Sequence, residues 1–364
     1  MAFQGTQGTQ GTQGTQGTQG TQGTQGTQGT QGTQGTQGTQ SAGGSGGPYL
    51  SHALASTRDG ISRHWTGAGG KLHLNAVPGG WEAFVKMQDG PQAEVLDHEL
   101  GTAFALALPN GQTGQLTTPL APGAVLADLV RPAFTQAFLD DQMAELRSWA
   151  DLRLDRMEEI QVQASDIVSF FGAQAYLDRV ATKRSLDLIW AVLRLCGRLE
   201  MRLKMHFDLP RPIVAGPELQ PVIQTPGHGA YPSGHATEAF AVAAVFCGLR
   251  DGGTVDMAAE VTARSQPVRL AERIAINRTI AGMHYPADSM CGAVLGTVIG
   301  ETVVNWISGH GQTPQRNFDG SNFRGDFSLA TLDPVLASPG STPLPAPPPV
   351  LENLWRVAKD EWLR

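Results

Sequence analysis

Apolar positions recur every three to four residues through the second half of the chain. In "SLDLIWAVLRLCGRLEMRLKM", Leu188, Val192, Leu195, Leu199 and Leu203 fall on one stripe, which predicts a long amphipathic helix. Helical spacing starts just after Gly123, in "VLADLVRPAFTQAFLDDQMAELRSWADLRLDRMEEI", in two pieces. Further helices are expected from Gly234 to Leu249, from Gln266 to Ala281 and from Pro286 to Trp306. The last of these carries Gly292, Gly296 and Gly300 on one stripe, a spacing that lets helices pack closely inside a bundle. The expected fold class is mainly α: a helical bundle from roughly residue 120 to 310, with an irregular N-terminal part.

Elsewhere the pattern weakens. Residues 5–40 are twelve consecutive GTQ triplets with no apolar side chain to bury, so residues 1–47 are expected to be disordered repeat and linker. From 48 to 122 the chain has many Gly and Pro breaks and short apolar runs such as "AFALAL"; short strands or irregular packing on the core are expected. The helical catalytic core is placed at 123–310. A C-terminal extension at 311–364 holds a Pro-rich connector and the short helix "LENLWRVAKDEWLR". Trp65 and Trp81 suit either subunit contacts in a homo-oligomer or a second core layer.

The most apolar windows, Ala239 to Leu249 and Met290 to Gly300, are closed by charges well short of the ~20 residues a membrane span needs. No basic and apolar leader opens the chain, so a soluble, cytoplasmic protein is the default expectation, with export left open. A formal net charge of -7 gives no electrostatic support for a nucleic-acid partner. Any anion site must come from locally concentrated positive charge. Cys196, Cys247 and Cys291, far apart and in apolar surroundings, are expected as core residues, with neither a disulfide framework nor a thiolate metal site.

Three islands carry candidate chemistry. In "KMHFDLPRP", Lys204 ends a long helix and Arg211 stands between two prolines that hold the chain extended. In "GHGAYPSGHATEAF", Ser233 suits an N-cap, Gly234 permits close approach of the backbone, and His235 stands at the rim of the helix start. In "NRTIAGMHYPAD", Arg278 shares the inward face of its helix with Leu270 and Ile274, and Asp288 lies four residues after His284, close enough to bond one ring nitrogen. Each island alone also suits an ordinary capped helix or a satisfied core side chain. Together, three cations, a capped helix start and two histidines suit a multivalent oxyanion.

Lys204 with Arg211-Pro212, then Pro232 to His235, then Arg278, His284 and Asp288 resembles the phosphatidic acid phosphatase type 2 superfamily, which contains lipid phosphatases, soluble acid phosphatases and vanadium-dependent haloperoxidases. One departure is Asn277, where the third motif usually carries serine. The contexts "AYPSGHATEAF" and "GMHYPAD" look more like the haloperoxidases, and His228 resembles the histidine of bromoperoxidases. The resemblance implies vanadate as cofactor. Lys204, Arg211 and Arg278 would neutralise its oxygens with help from Ser233 and Gly234, and His284 would bind vanadium with Asp288 behind it. His235 would be the acid–base group, Lys204 would polarise bound peroxide, and His228 would stand on the halide side. The implied partners are hydrogen peroxide, bromide or iodide, and a small organic acceptor; no nucleic acid and no membrane are implied. The alternative use of the same residues is phosphomonoester hydrolysis through a phosphohistidine at His284, with His235 as acid. A third is oxyanion binding without turnover.

Overall fold

Thr135, Ser233, Asp256 and Ser328 cap the helices they precede, and the apolar stripes read from the sequence are the faces that become buried. The computed structural model describes residues 48–62, 79–337 and 340–362. In chain order these hold α1 (Pro48–Ser62), α2 (Trp81–Lys86), α3 (Asp89–Gly101), strands β1 (Ala105–Asn110), β2 (Thr113–Thr117) and β3 (Val125–Val130), then α4 (Gln136–Ala150), α5 (Arg153–Gln163), α6 (Val168–Gly172), α7 (Lys183–Phe207), α8 (Pro212–Ala215), α9 (Gly234–Asp251), α10 (Met257–Ala263), α11 (Gln266–Ile280), α12 (Pro286–Ile307), β4 (Gln312–Asp319), α13 (Leu329–Leu332), β5 (Gly340–Pro343) and α14 (Pro349–Trp362). The protein is mainly helical, as the periodicity requires. The GTQ array, its linker and Trp65 lie outside the described residues.

The chain divides into two compact units between Val95 and Leu96. In the first, Trp81 is half-buried and stacks on Phe84 with ring centroids 5.2 Å apart. Gln92 Nε2 donates to Met87 O at 2.7 Å. The stretch expected to be irregular thus carries helices α1 to α3 before its strands. Pro91 is tolerated because it falls in the first turn of α3, where its missing N–H has no partner to lose.

The second unit contains a five-stranded sheet in the order β1-β2-β3-β4-β5. Its pairs are antiparallel except β3 with β4, which run parallel with Ala127 opposite Arg316. Here the helical reading of "VLADLV" is corrected: these six residues form β3. Two flanking strands take up its backbone bonds, and Pro132 keeps Arg131 extended, so no helix can run through. Helix α4 begins only at Thr135, whose side chain accepts from Phe138 N at 3.3 Å.

Helix α12 is buried along all 22 residues. By length and composition it could cross a membrane, yet all of it lies inside the protein. A Cβ at Gly292, Gly296 or Gly300 would collide with the backbone oxygens of Ser233, Thr237 and Ala241. The glycine stripe therefore brings α12 against the backbone of α9, as its spacing predicts. Helix α9 also packs on α7 and α11 and forms the middle of the bundle. The three cysteines are free and buried.

Candidate functional site

Three breaks between helices build the site. The first follows α7, which stops where Asp208 takes a left-handed conformation (φ 42) and donates its N–H to Lys204 O at 2.9 Å. The chain then runs extended through Arg211, and Pro212 opens α8. Arg211 is buried and fully engaged. Its Nε donates to His228 O (3.1 Å) and its Nη1 to Met283 O and His284 Nε2 (both 2.9 Å), while its Nη2 lies 3.1 Å from His228 Nδ1. One guanidinium thus ties the other two breaks together.

The second break ends at Ser233, the N-cap of α9, whose Oγ accepts from Ala236 N at 3.4 Å. A cis Tyr231–Pro232 peptide precedes it. Tyr231 anchors this loop through its hydroxyl to Val130 O at 2.9 Å, and Ala230 N donates to Leu209 O at 2.8 Å. The Lys204 ammonium donates to Pro232 O and to Ala230 O. His235, on the first turn of α9, donates its Nε2 proton to Gln163 O at 2.9 Å, which leaves Nδ1 as the free nitrogen.

The third break follows α11. Gly282, at φ +77, makes the turn, and Pro286 opens α12. His284 Nδ1 lies 3.1 Å from Asp288 Oδ2, which also accepts from Tyr285 N at 2.9 Å. Because Arg211 can only donate, His284 Nε2 must be an acceptor, so the ring proton sits on Nδ1 toward the carboxylate. Arg278, 1% exposed, donates Nη2 to Ile160 O at 3.0 Å, while its Nε and Nη1 are buried with no partner. Asn277, the residue that departs from the usual motif, donates to Gln163 Oε1 at 2.9 Å and to Glu159 Oε2 at 3.0 Å.

Lys204, Arg211, His228, Gly234, His235, Arg278 and His284 line one pocket of about 480 Å³. Ser233 and Asp288 are both fully buried and are not among its lining residues. Burial lowers Lys204 to about 8 and Arg278 to about 10, and it also lowers Arg211. It lowers His228 as well, and takes His235, which also faces Arg278, to about 3. His284 is held well below its usual value, first by burial and then by Arg211 and Lys204. Both imidazoles are therefore neutral at ordinary pH; the His235 Nδ1 lone pair is free, and that of His284 Nε2 is taken by Arg211. Asp288 is pushed up to about 7 by burial.

Three residues of the site carried no signal in the sequence. Gln163 closes α5; its backbone oxygen takes His235, while its side-chain oxygen takes Asn277 and, at 3.4 Å, Arg278. Glu200 and Glu238 also line the pocket. Glu200, one turn before Lys204, lies so close to Gly234 that a Cβ there would meet its Oε1 at 2.6 Å. Helical spacing places each of these residues correctly, but on an amphipathic helix a polar side chain reads as solvent-facing.

The donor set fits a tetrahedral oxyanion. Arg278 offers two desolvated N–H groups without partners, Lys204 and Arg211 add charge, and the start of α9 adds backbone donors. Among the described residues no group of three or more His, Cys, Asp or Glu side chains gathers to hold a metal cation. The fold and pocket thus define a class: a helical core with a pocket lined by buried cations. Residues 186–311 match the model of the PAP2 superfamily. Among solved structures, the chain is similar to a bacterial vanadium-dependent iodoperoxidase, with 22% identity, 48% of this chain and 51% of that one covered, and a TM-score of 0.32. The chain thus spans about half the length of that structure. No curated protein matches the chain.

Proposed function

We propose that this protein is a vanadate-dependent haloperoxidase that oxidises bromide or iodide with hydrogen peroxide and so halogenates small organic acceptors. The observation that carries the reading is the pairing of a neutral His284, proton on Nδ1, with an Arg278 that has two unsatisfied buried donors. That pairing supplies one lone pair and a desolvated cation to the same hollow, which suits an oxyanion whose central atom accepts a ligand.

Vanadate, when bound, supplies a Lewis-acid centre at which peroxide becomes electrophilic toward halide. The protein's residues do the rest. Arg278, Lys204 and Arg211 would neutralise the oxyanion, and the Gly234 N–H would add a donor at the start of α9, which the buried Ser233 caps. Arg211 gives up its bond to His284 Nε2, freeing that nitrogen as ligand, while Asp288 keeps the ring proton on Nδ1. His235, neutral with Nδ1 free, accepts a proton from incoming peroxide. Lys204, held by the Ala230 and Pro232 carbonyls, polarises the peroxide. His228, held against Arg211 at the pocket wall, faces the halide.

A second reading uses the same nitrogen. Once released by Arg211, His284 Nε2 would attack a phosphomonoester, with His235 as the acid for the leaving group. The deciding experiment incubates the apoprotein with vanadate, peroxide and bromide or iodide and follows halogenation of a cyclic dione, beside hydrolysis of an aryl phosphate. Halogenation that requires vanadate is the expected result. Phosphate release with no halogenation under any halide would overturn the haloperoxidase reading in favour of the second.

A further inference from the structure

The pocket is not uniformly cationic. Glu200 is 3% exposed and its Oε2 is buried without a partner. Glu238 is half-buried, and no hydrogen bond or ion pair reaches it among the described residues. Both line the pocket. Gly234 brings them together: the Glu200 carboxylate lies against it, and Glu238 stands one helical turn further along α9. The nearest ammonium, Lys204, is turned to the carbonyls of Ala230 and Pro232. Arg194, also in the wall, donates its Nε to both oxygens of Asp97 at 2.9 and 3.0 Å, and its Nη2 is buried without a partner.

Helix α7 orders the pocket along its axis. Lys204 marks the oxyanion end and Glu200 lies about 6 Å back along the helix; Leu193 and Trp190 follow, Trp190 about 15 Å beyond Glu200. Ile167 and Val168 line the same apolar stretch. Two unpartnered carboxylates thus sit between a cationic end and an apolar end. An organic group lying against Trp190 and reaching toward the oxyanion would pass them.

We propose that Glu200 and Glu238 form a subsite for an ammonium group, so that the organic substrate of this pocket is an amine with an apolar body. The proposal rests on reading the pocket as a substrate site and names the class of its organic substrate. An ammonium has three donors to share between two carboxylates. A divalent ion such as calcium needs six or more oxygens, far more than this pair supplies. The charged and titratable groups facing the pair are Lys204 and Cys196 on α7, Arg211 from its loop, His235 on α9 and Arg278 on α11. The three cations among them oppose an ammonium until an oxyanion offsets them, so the two ligands reinforce each other. Burial pushes the Glu200 carboxyl up to about 7 and raises Glu238 as well, so a shared proton is the ammonium's competitor. Affinity therefore rises with pH from 6 to 8, as that proton leaves.

The test compares calorimetric binding of 4-phenylbutylammonium with that of the neutral 4-phenylbutanol, each with and without orthovanadate. The ammonium binds at least ~10-fold more tightly, more so with vanadate present, and the preference shrinks in Glu200→Gln and vanishes in the double variant with Glu238→Gln. Should Glu200→Gln not fold, the half-buried Glu238→Gln alone still lowers the preference. Equal binding of amine and alcohol overturns the proposal and leaves the pair as a proton-sharing site. A preference that survives in both variants overturns it too. Orthovanadate binding, measured in the same titrations, reports separately on the oxyanion reading: its loss with the amine preference intact sinks that reading and keeps this one.

Discussion

His284 Nδ1 and Asp288 Oδ2 stand 3.1 Å apart across the start of α12, both buried, while Arg211 donates to the other nitrogen of the same ring. The imidazole is therefore read from both sides, and its tautomer is set by its neighbours. Asp288→Asn turns an acceptor into a side chain that can donate to Nδ1, which moves the ring proton to Nε2. Vanadate affinity then falls about 10–100-fold. Equilibrium titration measures it, and unchanged affinity would show that the aspartate does not set the tautomer.

Arg278 carries two buried donors without partners, so its charge costs the empty protein and serves the ligand. Arg278→Gln lowers vanadate binding by about 2–5 kcal/mol while leaving thermal stability unchanged or slightly raised. Titration together with a thermal melt separates the two effects. A large fall in melting temperature with affinity intact would assign Arg278 to the core.

Acid sensitivity follows from His235, lowered to about 3 by burial and by Arg278. Between its ordinary value of about 6.5 and 3 the unfolded chain binds this proton and the folded one does not. Stability conferred by the neutral ring is thus complete above pH 6.5 and is lost as pH falls toward 3. Relative to His235→Gln, the wild-type protein loses stability steadily over that window in denaturant titrations. A constant difference between the two at pH 7 and pH 4 would refute the assignment.

His228 touches Arg211 and the pocket and belongs to no helix. His228→Ala changes the bromide dependence of halogenation several-fold while vanadate affinity moves little. Steady-state kinetics with bromide and iodide give the first quantity and titration the second. The reverse pattern would place His228 with the oxyanion.

What the sequence made legible is what repeats or carries unusual chemistry. Helices α7, α9, α11 and α12 were readable because their apolar spacing is long and consistent. Lys204, Arg211, Arg278 and the histidines were readable because they stand beside Pro and Gly breaks, where loops place function. The β3 strand was not, since "VLADLV" is apolar at both helical and strand spacings and only its neighbours decide. Helices α2 and α3 were hidden among glycines and prolines that fall at their ends. Gln163, Glu200 and Glu238 were invisible for a different reason: no local pattern says that a polar residue on a helix will face a pocket instead of water.

The glycines of α12 reach beyond packing. His235 lies in the first turn of α9 and His284 two residues before α12, so the separation of these two helices bears on the separation of the two imidazoles. Ser233 N bonds Asp288 O at 2.9 Å, which locks the helix starts in register, and the glycines at 292, 296 and 300 hold that spacing for the length of the pair. They act as a gauge. A methyl group at Gly300, more than two turns along α12 from the nearest site residue, would prise the helices apart and carry the two histidines with them, detuning the chemistry from a distance.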